Sequence, residues 1–324
     1  MTLKLESIKR PIEREMRDFE VRLRETLRSE VPLFDRITYY ITHRKGKQVR
    51  PMMVLLSAKM FGEITDSSFT AATMVELLHT ATLVHDDVVD ESEKRRGFFS
   101  INALWKNKVA VLVGDYFLSK GMMVALDNDE FLLLKILNRA VKAMSEGELL
   151  QIAKARKMDI KEEVYYEIIE KKTASFIAAA CTVGAASITQ DQNTLDKIHE
   201  LGTNIGMAYQ IKDDLFDYGK REIGKPLGID IKEKKLTLPL IFALQNATRS
   251  EKKHIINIVR NKSHQSKKVH EVIDFAISRG GLEYATAQMY TYRERALKIL
   301  ETLPQNDARN SLEALVNFVT ERKK

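Results

Sequence analysis

Between Pro51 and Pro226 the chain contains no proline. Proline interrupts helices and favours tight turns, so an interval of that length suits long helices rather than strands joined by turns. Composition agrees, because only 14 of the 324 residues are glycine and 6 are proline. Average usage is roughly 7% and 5%. Apolar residues three and four apart predict helices over 8–27, 51–60, 67–89, 103–126, 130–155, 161–188, 191–217 and 236–245. A further helix follows a break at Pro32 and ends near Arg44, while the polar stretch 246–268 reads as peripheral helix and loop. With 44% hydrophobic and 30% charged residues, the chain can bury a sizeable core. The expectation is one continuous all-α domain over 1–324.

The single cysteine, Cys181, excludes an intrachain disulfide framework and a Cys-rich zinc site. It stands in a run of small residues and reads as a buried, inert thiol. The first residues lack the apolar core of a signal peptide. The longest uncharged stretch, 173–190, is rich in Ala, Ser, Thr and Gly. It fits a closely packed helix better than a membrane span. A cytoplasmic protein without a transmembrane segment is expected. The net charge of +7 could serve nucleic acid, an acidic membrane or an anionic small substrate. No nucleic-acid-binding signature accompanies it, and no nucleic-acid partner is expected.

The most informative segment is His79-Thr-Ala-Thr-Leu-Val-His85-Asp86-Asp87-Val-Val-Asp90. Residues four apart on a helix lie about 40° apart, so Asp86 and Asp90 share a face with Asp87 at its edge. Leu83, Thr82 and His79 lie on the same side one and two turns below. Like charges at this spacing destabilise a helix, and its C-terminal end favours cations. A carboxylate cluster there is costly unless something positive binds it.

The pattern recurs as Asp213-Asp214-Leu-Phe-Asp217 after the apolar approach Gly206-Met-Ala-Tyr209-Gln210-Ile. Each cluster runs into a basic, glycine-containing loop, Lys94–Gly97 after the first and Gly224–Gly228 after the second. Hard oxygen donors with no cysteine set and no paired His–Glu spacing point to Mg²⁺. Such an ion, held by one or two carboxylates, completes its shell with water and phosphate oxygens. Unit charges about 4 Å apart interact by roughly 4 kcal/mol at an effective dielectric of 20. A diphosphate beside six carboxylates therefore needs metal ions and basic side chains around it.

Taken together these residues resemble the trans-isoprenyl diphosphate synthases of the polyprenyl synthetase family, in order from Gly46 to Pro239. Gly46-Lys47-Gln48-Val49-Arg50-Pro51 resembles the family's early basic motif, and Asp86–Asp90 with Arg95-Arg96-Gly97 its first aspartate-rich motif. Lys172-Thr173 is similar to a mid-chain phosphate-binding pair, and Gln210–Asp217 to the second aspartate-rich motif. Gly224-Lys225-Pro226-x-Gly228-x-Asp230 and Lys235-x-Thr237-Leu238-Pro239 close the series. Tyr209 departs from the more usual Phe, with no expected effect on the chemistry.

The resemblance implies a bundle of long antiparallel helices around a deep central cavity, working as a homodimer. It implies that Lys47, Arg50, His79 and Arg96 hold isopentenyl diphosphate. Arg95, Lys172, Thr173, Gln210, Lys225 and Lys235 would hold an allylic diphosphate such as farnesyl diphosphate. About two or three Mg²⁺ ions per site would be bound directly by Asp86, Asp90 and Asp213, with Asp87, Asp214 and Asp217 acting directly or through water. Asp86, Asp90, Arg95, Lys172 and Asp213 would carry the catalysis.

In such enzymes the allylic diphosphate ionises, the double bond of isopentenyl diphosphate attacks the cation, and the departing diphosphate takes the proton. Product length is set by how far the apolar cavity runs before a bulky side chain blocks it. In the family, aromatic residues at the positions of Ala81 and Thr82 go with short products and small residues with longer ones. The expectation is an all-trans C30–C50 product of the kind used for quinone side chains. A C15–C20 farnesyl or geranylgeranyl diphosphate synthase, a class I terpene cyclase or squalene-type synthase, and a non-catalytic partner subunit remain the alternatives.

Overall fold

The described residues of the proline-free interval are mostly helical in the computed structural model, which describes residues 5–43, 46–95, 97–158, 161–219 and 227–322. Among the described residues the only strands are β1 (Lys94–Arg95) and β2 (Phe98–Phe99), an antiparallel pair that places Arg95 opposite Phe98. The chain sorts into two compact units, each assembled from segments distant in sequence.

The first unit comprises Met1–Arg139, Ala179–Ile198 and Pro304–Leu312. It opens with α1 (Leu5–Lys9), a 3₁₀ turn (Arg10–Ile12) and α2 (Glu13–Thr26), where one helix was expected over 8–27. Pro11 is the cause, since it lacks an N–H and its ring crowds the preceding turn. After α3 (Pro32–His43), helix α4 (Val49–Phe61) is buried almost throughout by Met52, Met53, Val54, Leu55 and Leu56. A capping box between Thr65 and Ser68 starts α5 (Asp66–Val89), whose length packs against α6 (Ile101–Asp127). Helix α6 is apolar and long enough to cross a bilayer by length and composition alone. Its contact with α5 instead makes it part of the unit's core, while Leu104, Val111, Leu112 and Met123 remain exposed.

The second unit comprises Ala140–Ala178, His199–Leu303 and Glu313–Lys324. Its core joins Met207, Ala208 and Ile211 to Leu240, Ile241, Val272, Ile273 and Met289. Helix α12 (Leu238–Gln245) packs on α14 (Ser266–Ser278) and α15 (Gly281–Glu301). The stretch expected to be peripheral contains α13 (Arg249–Asn261), which buries Ile255, Ile258 and Val259. Polar composition hid an amphipathic face.

Where a single helix was expected over 161–188, the structure has α8 (Glu162–Ile169), a π-helical turn (Glu170–Ala174) and α9 (Ser175–Ala186). The extra residue of a π-turn re-aims the side chains it carries. Two glycines make room for it. A Cβ on Gly147 of α7 (Phe131–Lys157) would lie 2.8 Å from the Lys172 nitrogen, and one on Gly206 of α10 (Gln192–Phe216) would lie 2.4 Å from Ala174 Cα. Side chains at either position would collide with the backbone of the turn.

Candidate active site

Each acid cluster falls at a helix end, as its sequence context predicts. Helix α5 ends at Val89 with Asp90 as its cap, and α10 ends at Phe216.

In the first unit Asp86 is half-buried, Asp87 is 4% exposed and Asp90 is exposed. The β1–β2 hairpin brings Arg95 back onto the cluster, where its Nε donates to Asp87 Oδ1 at 2.7 Å. Burial raises the Asp87 carboxyl above the ordinary range, and Arg95 pulls against that shift. Two turns below, Arg50 Nη1 donates to His79 Nε2 at 2.9 Å. An arginine can only donate, so the proton of the neutral ring lies on Nδ1. Gly46, Gln48, His79, Asp87 and Arg95 line one pocket whose remaining walls include Leu77, Leu83, Val84 and Phe117. Lys47, between Gly46 and Gln48 in sequence, is exposed. Ala81 is fully buried, and half-buried Thr82 donates its hydroxyl to the His79 carbonyl at 2.8 Å.

In the second unit the carboxylates are more deeply engaged. Asp213 pairs with Arg322, whose guanidinium also lies over the Tyr209 ring at 4.2 Å. Asp214 is 5% exposed and accepts from Tyr165 Oη at 2.7 Å and Gln210 Nε2 at 2.8 Å. Burial drives its carboxyl well above the usual range, helped by the nearby charge of Asp230 and opposed by these hydrogen bonds. Asp217 accepts from the backbone N–H of Ile229 at 2.8 Å and of Asp230 at 2.9 Å. It thereby caps α11 (Ile229–Lys232); burial still raises its carboxyl against those bonds. Asp230 is itself pushed up to about 7, first by burial and then by Asp217.

The π-turn delivers Lys172 and Thr173 to this cluster. Thr173 Oγ1 donates to Gln210 Oε1 at 2.7 Å, and Lys172 pairs with Glu148. Lys235 lies 2.5 Å from Glu233. Lys172, Thr173, Gln210, Asp214, Asp230 and Lys235 line a second pocket. Arg96 and Lys225 lie outside the described residues.

Sequence reasoning did not find Tyr165, Glu148 or Arg322, and it left Asp230 as a motif letter without a role. Arg322 reaches Asp213 from the far end of the chain, and no spacing rule could announce that contact.

The donor set fits Mg²⁺. Among the described residues no three His, Cys, Asp or Glu side chains converge into a ready-made cage. A hard cation that takes one or two carboxylates and draws its other ligands from water and phosphate needs no such cage.

Comparison with known proteins points the same way as this chemistry. Residues 31–276 match the polyprenyl synthetase family. The chain is 35% identical to the all-trans-nonaprenyl-diphosphate synthase (geranyl-diphosphate specific) of Rhodobacter capsulatus over 96% of both chains. It is 32% identical to the octaprenyl diphosphate synthase of Escherichia coli over 99% of both. The fold matches the crystal structure of a Caulobacter crescentus polyprenyl synthase, complexed with calcium and isoprenyl diphosphate, with a TM-score of 0.92. That match has 30% identity and covers 100% of this chain and 99% of the other.

Proposed function

Because this chain belongs to the polyprenyl synthetase family, and is therefore a prenyltransferase, we propose that it condenses isopentenyl diphosphate head-to-tail with an allylic diphosphate such as farnesyl diphosphate. The product is an all-trans polyprenyl diphosphate of C30–C50, made in the cytoplasm by a chain acting as one catalytic domain.

The observation that carries this reading is the presence of two separate pockets, each placing cationic side chains against buried carboxylates. A reaction that joins two diphosphates needs two anion sites. Arg50, bonded to the pocket-lining His79, and exposed Lys47 three residues before it in sequence suit isopentenyl diphosphate. Lys172, Thr173, Gln210 and Lys235 suit the allylic partner, and Arg95 draws on the first cluster. Arg96 and Lys225 join these two sets on their motif positions alone.

Asp86, Asp90 and Asp213 would hold Mg²⁺, with Asp87, Asp214 and Asp217 orienting the groups around them. When bound, Mg²⁺ supplies positive charge that offsets the diphosphate oxygens and polarises the leaving group. Lys172 and Lys235 stabilise negative charge on the departing diphosphate as the carbon–oxygen bond breaks. The apolar walls given by Leu77, Leu83 and Val84 keep water from the reacting carbon. Ala81 and Thr82 are both small, and a short side chain at these positions would let a growing chain pass the first cluster.

A homodimer is part of the proposal. It is supported by the apolar face that α6 exposes through Leu104, Val111, Leu112 and Met123.

The test is direct. Purified protein with Mg²⁺, labelled isopentenyl diphosphate and farnesyl diphosphate should yield a linear product that chromatography sizes at C30–C50. A C15–C20 product would replace the chain-length assignment, and absence of incorporation with every allylic primer would overturn the activity.

A further inference from the structure

Tyr165 belongs to none of the motifs, yet it ends a hydrogen-bond chain that runs into the second pocket. Its ring is 3% exposed and its hydroxyl donates to Asp214 Oδ2 at 2.7 Å. The other oxygen, Oδ1, accepts from Gln210 Nε2 at 2.8 Å. Gln210 Oε1 in turn accepts from Thr173 Oγ1 at 2.7 Å.

The order of donors along this chain is not arbitrary. A phenol has one hydrogen, and Tyr165 commits it to Asp214. With both Asp214 oxygens accepting, Gln210 must turn its NH₂ toward Asp214 and its carbonyl toward Thr173. Thr173 then spends its single hydroxyl hydrogen on Gln210, and only its lone pairs remain to face the pocket. Three side chains from α8, the π-turn and α10 are locked by a group at the buried end.

We propose that Tyr165 is a positioning residue that pins the Asp214 carboxylate, and through it fixes how Gln210 and Thr173 meet the allylic diphosphate. The proposal rests on the functional reading of that pocket given above. With its hydrogen engaged, Thr173 meets the diphosphate only through a donor such as a bridging water, while the second Nε2 hydrogen of Gln210 can donate to a phosphate oxygen.

Tyr165→Phe keeps the ring and removes only the donor. With ¹⁵N-glutamine labelling, the Gln210 side-chain amide, assigned by its loss in Gln210→Glu, should exchange slowly in the wild type. In Tyr165→Phe it should exchange about tenfold faster or more, because the carboxylate it donates to has lost the hydrogen bond that pins it. The KM for the allylic diphosphate should rise about tenfold while that for isopentenyl diphosphate stays within about twofold. Thr173→Val should show the same split, and the double variant should be no worse than either single one.

An unchanged Gln210 amide in Tyr165→Phe, a parallel rise in both KM values, or additive effects in the double variant would overturn the proposal. If the wild type condenses nothing, the functional reading fails separately. The amide measurement still decides whether Tyr165 anchors the chain, and calorimetry with inorganic diphosphate and Mg²⁺ on wild type and variant replaces the kinetics. If Tyr165→Phe does not fold, Thr173→Val reads the chain from its other end. There Gln210 should keep its slow exchange because Tyr165 still pins the Asp214 carboxylate it donates to, and fast exchange would make Thr173 the anchor instead.

Discussion

The two Asp-Asp-x-x-Asp segments are the same string of acids and become different local structures. At the end of α5 one carboxylate is buried, Asp87, and a short hairpin returns one arginine to it. Asp90 stays exposed. At the end of α10 the chain folds back on itself, so Asp217 caps the next helix while Asp214 sinks against Tyr165 and Gln210. Burial raises Asp87 in the first segment, and it raises Asp214, Asp217 and neighbouring Asp230 at the second. A motif states which groups are present. The residues packed around it decide which of those groups can be given to a ligand and which are used to build the site.

The largest expected effect tests what the two segments share. Asp86→Ala and Asp213→Ala should each lower turnover by about 10³-fold or more, because a carboxylate that would hold the Mg²⁺ facing the reacting diphosphate is lost. Folding should survive, since like charges are removed from helix ends that tolerate them poorly and, in Asp213→Ala, Arg322 keeps its place over the Tyr209 ring after losing that carboxylate. Steady-state rates beside circular-dichroism melts check both halves. Turnover within tenfold of wild type in both variants would sink the shared metal role.

The next effect separates the segments by their apolar approaches. Ala81 and Ala208 both stand five residues before the first aspartate of their cluster, and both are buried. Phe at either position adds roughly a benzene ring to packed surroundings, at about 1–3 kcal/mol. Only Ala81→Phe should also plug the elongation path, shifting products towards C15–C20 while the single-turnover rate is largely kept. Ala208→Phe should lower the melting temperature without shortening the product. Product sizing beside melting temperature distinguishes them, and an unchanged product from a well-folded Ala81→Phe enzyme would remove the basis for the channel assignment.

These contrasts mark what the letters could and could not carry. Helix after helix was legible because the 3.6-residue period repeats without proline. The clusters were legible because their placement is energetically wrong for unliganded helix ends. The π-turn at Glu170–Ala174 was not, since Lys, Thr and Ala are ordinary helix residues. Its close neighbours are Gly147 and Gly206, glycines on two other helices. Tyr165 and Arg322 were missed for a related reason. Their partners lie 49 and 109 residues away, and only the folded chain brings them together.

A third comparison concerns stability rather than catalysis. Asp214→Ala strands the buried Tyr165 hydroxyl and loosens Gln210, which should cost about 2–3 kcal/mol, or roughly 3–5 °C in Tm. Asp87→Ala leaves Arg95 about a third exposed and free to take water, so the loss should stay under about 1 kcal/mol. Thermal melts of the metal-free proteins decide this. Equal destabilisation would mean that the two clusters share a structural role after all.

The smallest effect is a pH dependence confined to the second region. The carboxyl of Asp230 is pushed up to about 7, mainly by burial and then by Asp217. An unfolded aspartate titrates near 3.9. Between those two values the folded chain therefore binds a proton that the unfolded chain has already released. The slope of unfolding free energy with pH tracks protons bound unfolded minus folded, which is negative here. Stability contributed by the protonated carboxyl is thus present at acid pH, is lost as pH rises towards about 7, and stays lost above it. Asp230→Asn cannot ionise and should escape that loss. Melting temperatures of metal-free wild type and variant, taken from pH 4 to 8, should diverge by a few degrees in favour of the variant as pH rises. Asp87→Asn should open a smaller gap, because Arg95 opposes the effect of burial there. A constant difference between wild type and Asp230→Asn across the whole range would show that Asp230 titrates normally, and that the second cluster is not the more buried of the two in any way protons can detect.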